Sequence, residues 1–245
     1  MQIGAATHVG KIREMNEDNY YIPKDVTIDI PLFIVADGMG GTNAGEIASS
    51  LAIYSAAYYI SKCLKKNTIE ELDIAKLMTE SITYANEIIY EKAKESDEFE
   101  GMGTTIDMVM IQKDRLYIAH VGDSRVYSAK KSGLKQLTKD HSYIQQLVER
   151  GVITEEQAVN HPSSNIITRA LGTEENIEID IVEKRLYKEE TIILCTDGLT
   201  KMVSDQKIYE ITQSISHVQQ IAEKLVQEAN SVGGNDNITA IVIRK

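Results

Sequence analysis

Apolar residues recur along this chain in two rhythms, and the rhythms separate strands from helices. Residues 3–7, 18–22 and 31–36 are short apolar or alternating runs and predict three strands. Ala44–Leu64 is rich in Ala, Ile and Tyr and apolar around most of its circumference. That predicts a largely buried helix with Tyr54, Tyr58 and Tyr59 in the core. Residues 70–94 predict a second helix with a clearer polar face. Residues 104–112, 116–121 and 126–129 form a strand cluster, with a turn at Lys113-Asp114 and a continuation over 134–137.

Residues 142–150 predict a short helix ended by Gly151, and Thr154-Glu155-Glu156-Gln157 has capping-box spacing at another. Residues 178–183 alternate apolar and charged side chains, as a strand with one wet face does, and 191–196 read as a buried strand. Ser204 and Asp205 can cap a helix over 206–213; a last helix follows over 216–230 and a last strand over Ile238–Arg244. Strands succeed one another without helices across 104–138 and 178–196, which favours antiparallel pairing over a strict β-α-β order. The fold class is therefore α+β, sheets covered by helices. No linker or repeat divides residues 1–245, so one domain is expected.

Composition narrows the function. The formal net charge is -11, with 37 acidic against 26 basic residues, which argues against a nucleic-acid binder and against binding to anionic membranes. Cys63 and Cys195 lie far apart, in no metal-type or disulfide pattern, which points to a reducing compartment. The first residues lack the layout of a signal peptide, and the apolar stretch over 51–64 is interrupted by Ser55, Ser61 and Lys62, so the cytoplasm is expected. The histidines share no spacing that would hold zinc. His120, in a strand, reads as a packed, hydrogen-bonded side chain; His141 and His161 read as holding local turns, and Arg169 as a tether.

The chemistry lies where apolar runs end. One run meets Asp37-Gly38-Met39-Gly40-Gly41, a second meets Thr196-Asp197-Gly198, and Gly234-Asn235-Asp236-Asn237 leads into the last strand. Carboxylates at several sheet rims repel one another unless a cation lies between them, and hard divalent ions prefer oxygen ligands. Arg13-Glu14-Met15-Asn16-Glu17-Asp18 adds two carboxylates and an arginine whose planar fork suits phosphate. Gly122-Asp123-Ser124-Arg125, taken alone, reads as a hairpin turn.

Together, in this order and with Gly103-Thr104-Thr105, Ala119-His120-Val121 and Ile167-Thr168-Arg169-Ala170-Leu171-Gly172 between them, these motifs resemble the metal-dependent Ser/Thr protein phosphatases of the protein phosphatase 2C family, the bacterial single-domain members in particular. The resemblance runs from about Thr7 to Ile243. It implies a four-layer αββα sandwich with a flap beside the site over residues 140–171. It implies a phosphatase that removes phosphate from phosphothreonine and phosphoserine by direct attack of a metal-bridging hydroxide, as a monomer opposing Ser/Thr kinases. Two core Mn²⁺ or Mg²⁺ ions and a third, weaker ion are expected. Carried over by motif, Asp37 would bridge two ions, the Gly38 carbonyl would ligate one, and Asp197 and Asp236 would hold one. Glu17 would act through the other ion or its waters, Asp18 would support the site, Asp123 with Asp197 would bind the third ion, and Arg13 would hold the phosphate. Two positions depart from the family pattern: Thr7-His8 stands where Ser/Thr-Asp is usual, and Met39 stands where eukaryotic members carry a histidine acid. Open alternatives are a non-catalytic phosphoprotein binder on the same fold, a phosphohydrolase whose substrate is a small metabolite or a single regulator protein, and a Ca²⁺-binding structural module.

Overall fold

Alternate side chains of single strands enter different cores in this computed structural model, which describes residues 1–24, 31–40, 44–66, 72–158 and 161–245. The elements run β1 (Gln2–His8), β2 (Asp18–Tyr21), β3 (Leu32–Met39), α1 (Ala44–Leu64), α2 (Ile74–Ala93), β4 (Gly103–Thr104), β5 (Ile106–Gln112), β6 (Arg115–Val121), β7 (Arg125–Lys130) and β8 (Gly133–Gln136). They continue with α3 (Tyr143–Glu149), α4 (Glu155–Ala158), β9 (Asp180–Arg185), β10 (Thr191–Cys195), α5 (Asp197–Thr200), α6 (Asp205–Ser214), α7 (Val218–Val232) and β11 (Ile238–Arg244). One sheet is ordered β1-β11-β10-β7-β8; the other is ordered β2-β3-β5-β6-β9, with β4 on β3. Every pairing is antiparallel.

Leu32, Ile34 and Ala36 of β3 pack with Ala48, Ala52 and Ile82 of α1 and α2. Their neighbours Phe33 and Val35 join Ile192, Leu194 and Ile241 of the other sheet. Ile193, Cys195, Ala240 and Val242 face Leu199, Ile208 and Leu225 of α5, α6 and α7. Three apolar layers thus hold four layers of secondary structure, the αββα sandwich expected. Each fully buried Ile, Leu or Phe contributes about 1.5–3 kcal/mol. Among the described residues no helix is long and apolar enough to cross a membrane.

Three expectations need correction. Tyr54 and Tyr58 are 73% and 58% exposed, not core. α1 packs on β3 and α2 with one flank, and the other flank meets water. Tyr rings tolerate that because the phenol is polar, and the Lys62 ammonium lies 5.9 Å from the Tyr58 ring centroid. Only Tyr59 packs inward, its hydroxyl donating to Glu80. Secondly, β7 does not extend the strand cluster of β5 and β6: it pairs with β10 in the other sheet, so Gly122-Asp123-Ser124 is a crossing between sheets rather than a hairpin turn. Thirdly, the run over 104–112 breaks at Thr105, whose N–H turns to the carbonyl of Asp37 at 2.9 Å. Helix α2 starts at Ile74 under an Asp73 cap. Residues 70 and 71 of its predicted span, Gly41 of the second motif and residues 159–160 of the expected flap lie outside the described residues.

Candidate metal centre

Register delivers the rim carboxylates to one end of the sandwich. Asp18 opens β2 opposite Asp37 near the end of β3. Asp123 follows the last residue of β6, Asp197 follows β10 as the first residue of α5, and Asp236 precedes β11, which pairs with β10. The loops between them are sewn by one amide. Asn237 accepts from the Glu17 N–H at 2.8 Å, and its Nδ2 donates to the carbonyls of Val9 and Met15, each at 2.8 Å. Asp18 is buried, and its Oδ2 accepts from the hydroxyls of Thr196 and Thr239 at 2.8 and 2.7 Å. Asp37 is fixed through its backbone: its N–H donates to Thr105 Oγ1 at 3.0 Å, and its carbonyl accepts from Thr104 Oγ1 at 2.9 Å.

Glycine is needed where backbones touch. A Cβ on Gly38 would stand 2.0 Å from the Gly45 carbonyl oxygen, and one on Gly198 would stand 1.9 Å from that of Asn237. Those contacts press the Asp37 turn against α1 and the Asp197 turn against the Asp236 loop.

Electrostatics oppose the assembly as it stands. Burial, followed by the charges of Asp18, Asp197, Asp123 and Asp236, holds Asp37 well above the carboxylate range. Burial pushes Asp18 up to about 7 despite its two hydroxyl donors. Burial and then Asp197 push Asp123 up to about 7, with Lys201 pulling the other way. Glu17 is also raised, by burial first, with Arg13 opposing. Oδ1 of Asp18, of Asp123 and of Asp197 is buried without a hydrogen-bond partner. Orphaned anionic oxygens of this kind call for a cation.

Two side chains answer part of that demand. Arg13 Nε lies 3.0 Å from Asp236 Oδ1, and its Nη2 donates to Oδ2 at 3.1 Å. Lys201 Nζ is paired with Asp197 Oδ2. Among the described residues, no three His, Cys, Asp or Glu side chains are grouped so as to hold a metal ion as they stand. The donor set nevertheless fits hard divalent cations: all the donors are oxygens, several are buried, and three have no other partner. Lys201, Asn237, Thr196 and Thr239 received no role from the sequence. For Lys201 the signal was its position four residues after Asp197, which puts both side chains on one face of a helical turn.

Behind Asp123 lies a second polar cluster. His120 is buried and directs Nδ1 to Asp107 Oδ1 at 2.7 Å and Nε2 to the Lys139 carbonyl at 2.9 Å. Burial pushes Asp107 upward while His120 opposes it; burial pulls His120 down, but the charge and hydrogen bond of Asp107 raise it, so the two share a proton across this contact. His141 Nδ1 accepts from the Gly122 N–H at 3.1 Å, and its Nε2 lies 2.9 Å from Arg169 Nη1 and 3.3 Å from Asp180 Oδ2. Burial, then the charges of His120 and Arg169, push His141 down to about 4. Arg169 joins Asp180 and Glu178 at 2.8 and 2.7 Å, the tether expected of it. His161 Nδ1 accepts from Ser163, and His8 Nδ1 from Gly10, so each holds its local turn.

Two hollows of ≈ 580 and ≈ 600 Å³ lie elsewhere, one beside Lys130, Tyr187 and Arg244, the other between β1 and α7 beside His8 and Asn230. The first has one buried carboxylate, Glu190, held by Lys184 and Ser128, and the second has none.

Residues 10–240 match the family described as Protein phosphatase 2C. The chain is 37% identical to the serine/threonine phosphatase stp of Listeria welshimeri over 98% of this chain and 94% of the relative. A solved serine/threonine phosphatase of S. agalactiae superposes with a TM-score of 0.89 at 36% identity, covering 100% of this chain and 99% of that one. The catalytic domain of the phosphatase PstP, solved in complex with 2 manganese ions, superposes with a TM-score of 0.84 at 32% identity, covering 98% and 96%.

Proposed function

The chain belongs to the protein phosphatase 2C family of serine/threonine phosphatases, and on that premise we propose that its rim carboxylates hold two Mn²⁺ or Mg²⁺ ions for hydrolysis of phosphothreonine and phosphoserine on proteins. The observation that carries this reading is the convergence of Asp18, Asp37, Asp123, Asp197 and Asp236, three of them with a buried, unpartnered oxygen. Support also comes from the solved relative with 2 manganese ions.

Asp37, Asp197, Asp236 and the Gly38 carbonyl would hold the ions, with Glu17 at their edge. When bound, such ions supply Lewis acidity: they make water a nucleophile near neutral pH and offset the charge of the phosphate. Asp18, pinned by Thr196 and Thr239, cannot swing away from Asp37 and so keeps the negative field in place. Asp197 can give its free Oδ1 to an ion while Oδ2 stays on Lys201. Arg13 would hold the phosphate: released from Asp236, its fork would take two phosphate oxygens and orient the ester. No side-chain nucleophile is required; Cys195, the cysteine nearest in sequence to these motifs, is buried in β10 and its thiol is pushed upward by burial.

The segment over 140–171 would act as the flap beside this site within a single catalytic domain, and the biological task would be to reverse a Ser/Thr kinase as a cytoplasmic monomer. The test is release of phosphate from a phosphothreonine peptide with Mn²⁺. Hydrolysis of small aryl phosphates alone, with every phosphopeptide left intact, would replace this reading with that of a small-molecule phosphohydrolase.

A further inference from the structure

The family resemblance places a third, weaker ion between Asp123 and Asp197. In this chain one of the two carboxylates, Asp197, already has a partner. Lys201 follows the single helical turn α5 and reaches back one turn to place its ammonium on Asp197 Oδ2. One positive charge therefore sits on Asp197, one of the two carboxylates that would share that cation, and the Lys201 side chain is only 30% exposed there.

We infer that Lys201 replaces the third metal ion with a covalently attached ammonium, so that this enzyme carries two divalent ions and not three. Geometry divides Asp197 between the two tasks. Oδ2 is engaged by Lys201, while Oδ1 is buried without a partner and remains for a core ion. A divalent ion entering beside Asp123 would have to displace Lys201 or stand a few ångströms from its charge, where like charges repel in a partly desolvated site. An ammonium also differs from a metal in what it offers there. It has three donors and no open coordination position, so it can hold Asp197 and orient a water or a phosphate oxygen, but it cannot act as a Lewis acid.

This inference rests on the reading of the rim as the metal centre, and one experiment separates the two. Free Mn²⁺ is counted by electron paramagnetic resonance while the metal-free full chain is titrated, for the native protein and for Lys201→Gln, Lys201→Asp and Lys201→Arg. The native chain and Lys201→Arg are expected to take up two ions. Lys201→Gln and Lys201→Asp should take up a third at or below about 1 mM, the weak end for carboxylate cation sites, with Lys201→Asp the tighter. Thermal melts of each metal-free variant establish that it is folded before titration. Three ions on the native chain, with the third unaffected by Lys201→Gln, would overturn the ammonium and leave the metal centre standing. A third ion absent from Lys201→Asp as well would overturn it also, since removal of the charge would then open no site. No Mn²⁺ uptake by the native chain would overturn the metal centre itself.

Discussion

Asp18 and Asp37 stand opposite each other across the β2–β3 ladder, and the Asp18 carboxylate is held by two threonine hydroxyls. Asp18 and Asp123 are each pushed to about 7 and Asp37 is raised as well, burial being the first cause in all three. These groups reverse the usual carboxylate behaviour. Their contribution to the stability of the metal-free protein is fully present below the unfolded value of 3.8 and is lost as pH rises through about 7, because only the native state keeps the proton in between. Mn²⁺ needs ionised carboxylates and displaces those protons. At a fixed Mn²⁺ concentration the rise in Tm should therefore grow between about pH 6 and pH 8 as Kd falls, the stabilisation being about 2.7 kcal/mol wherever Mn²⁺ stands at a hundredfold excess over Kd. Melting curves in Mn²⁺ and in chelator across this range test it; a Tm increment that does not change with pH contradicts it.

Gly198 lets the Asp197 turn lie against the Asp236 loop. Gly198→Ala places a methyl 1.9 Å from the Asn237 oxygen, which belongs to backbone and cannot rotate away. The variant should lose about 1–3 kcal/mol through overpacking and should bind Mn²⁺ more weakly than that loss alone explains, because two ligand loops move apart. Chemical denaturation with and without Mn²⁺ separates the effects. Unchanged metal affinity would mean that the close approach serves packing only.

Asp107 and His120, the latter three residues before Asp123, form a buried pair. Removing one partner strands the other. Asp107→Ala should destabilise the fold by about 3–5 kcal/mol, whereas Asp107→Asn, which keeps an acceptor for Nδ1, should lose less. Equal losses in the two variants, read from urea melts, would show that the pair is not charged.

Much of this was legible beforehand, for reasons that differ by element. Ala44–Leu64 and Ile238–Arg244 have the bounds read from the sequence because turn residues frame an unbroken periodic run. The carboxylate motifs were legible because a strand that ends in Asp-Gly reports its own rim. Strand partnership was not: β7 leaves the sheet of β6 at Gly122, and nothing in the periodicity of either strand records which sheet will take it. Tyr54 and Tyr58 look apolar on a helical wheel, yet the position of α2 decides which flank of α1 is covered. The role of Lys201 was hidden by its chemistry, since a lysine in an acidic chain reads as a surface charge until its carboxylate partner is located.

Arg13 spends the metal-free state on Asp236. Lysine would keep the charge and lose the two-pronged grip. Arg13→Lys should raise KM for a phosphopeptide more than it changes Mn²⁺ affinity, and Arg13→Ala should not weaken Mn²⁺ binding, because a competitor for Asp236 is gone. Steady-state kinetics beside a Mn²⁺ titration check both; a parallel loss of metal affinity would remove Arg13 from the phosphate.

The most direct test of the metal-centre account is phosphate release from a phosphothreonine peptide by the native chain in Mn²⁺, by the same protein in excess chelator, and by Asp37→Asn in Mn²⁺. The account predicts turnover in the first case only, with the variant reduced on the order of a thousandfold or more, since it loses the charge on which the whole carboxylate cluster converges. Turnover that survives either the chelator or the loss of the Asp37 charge would contradict it.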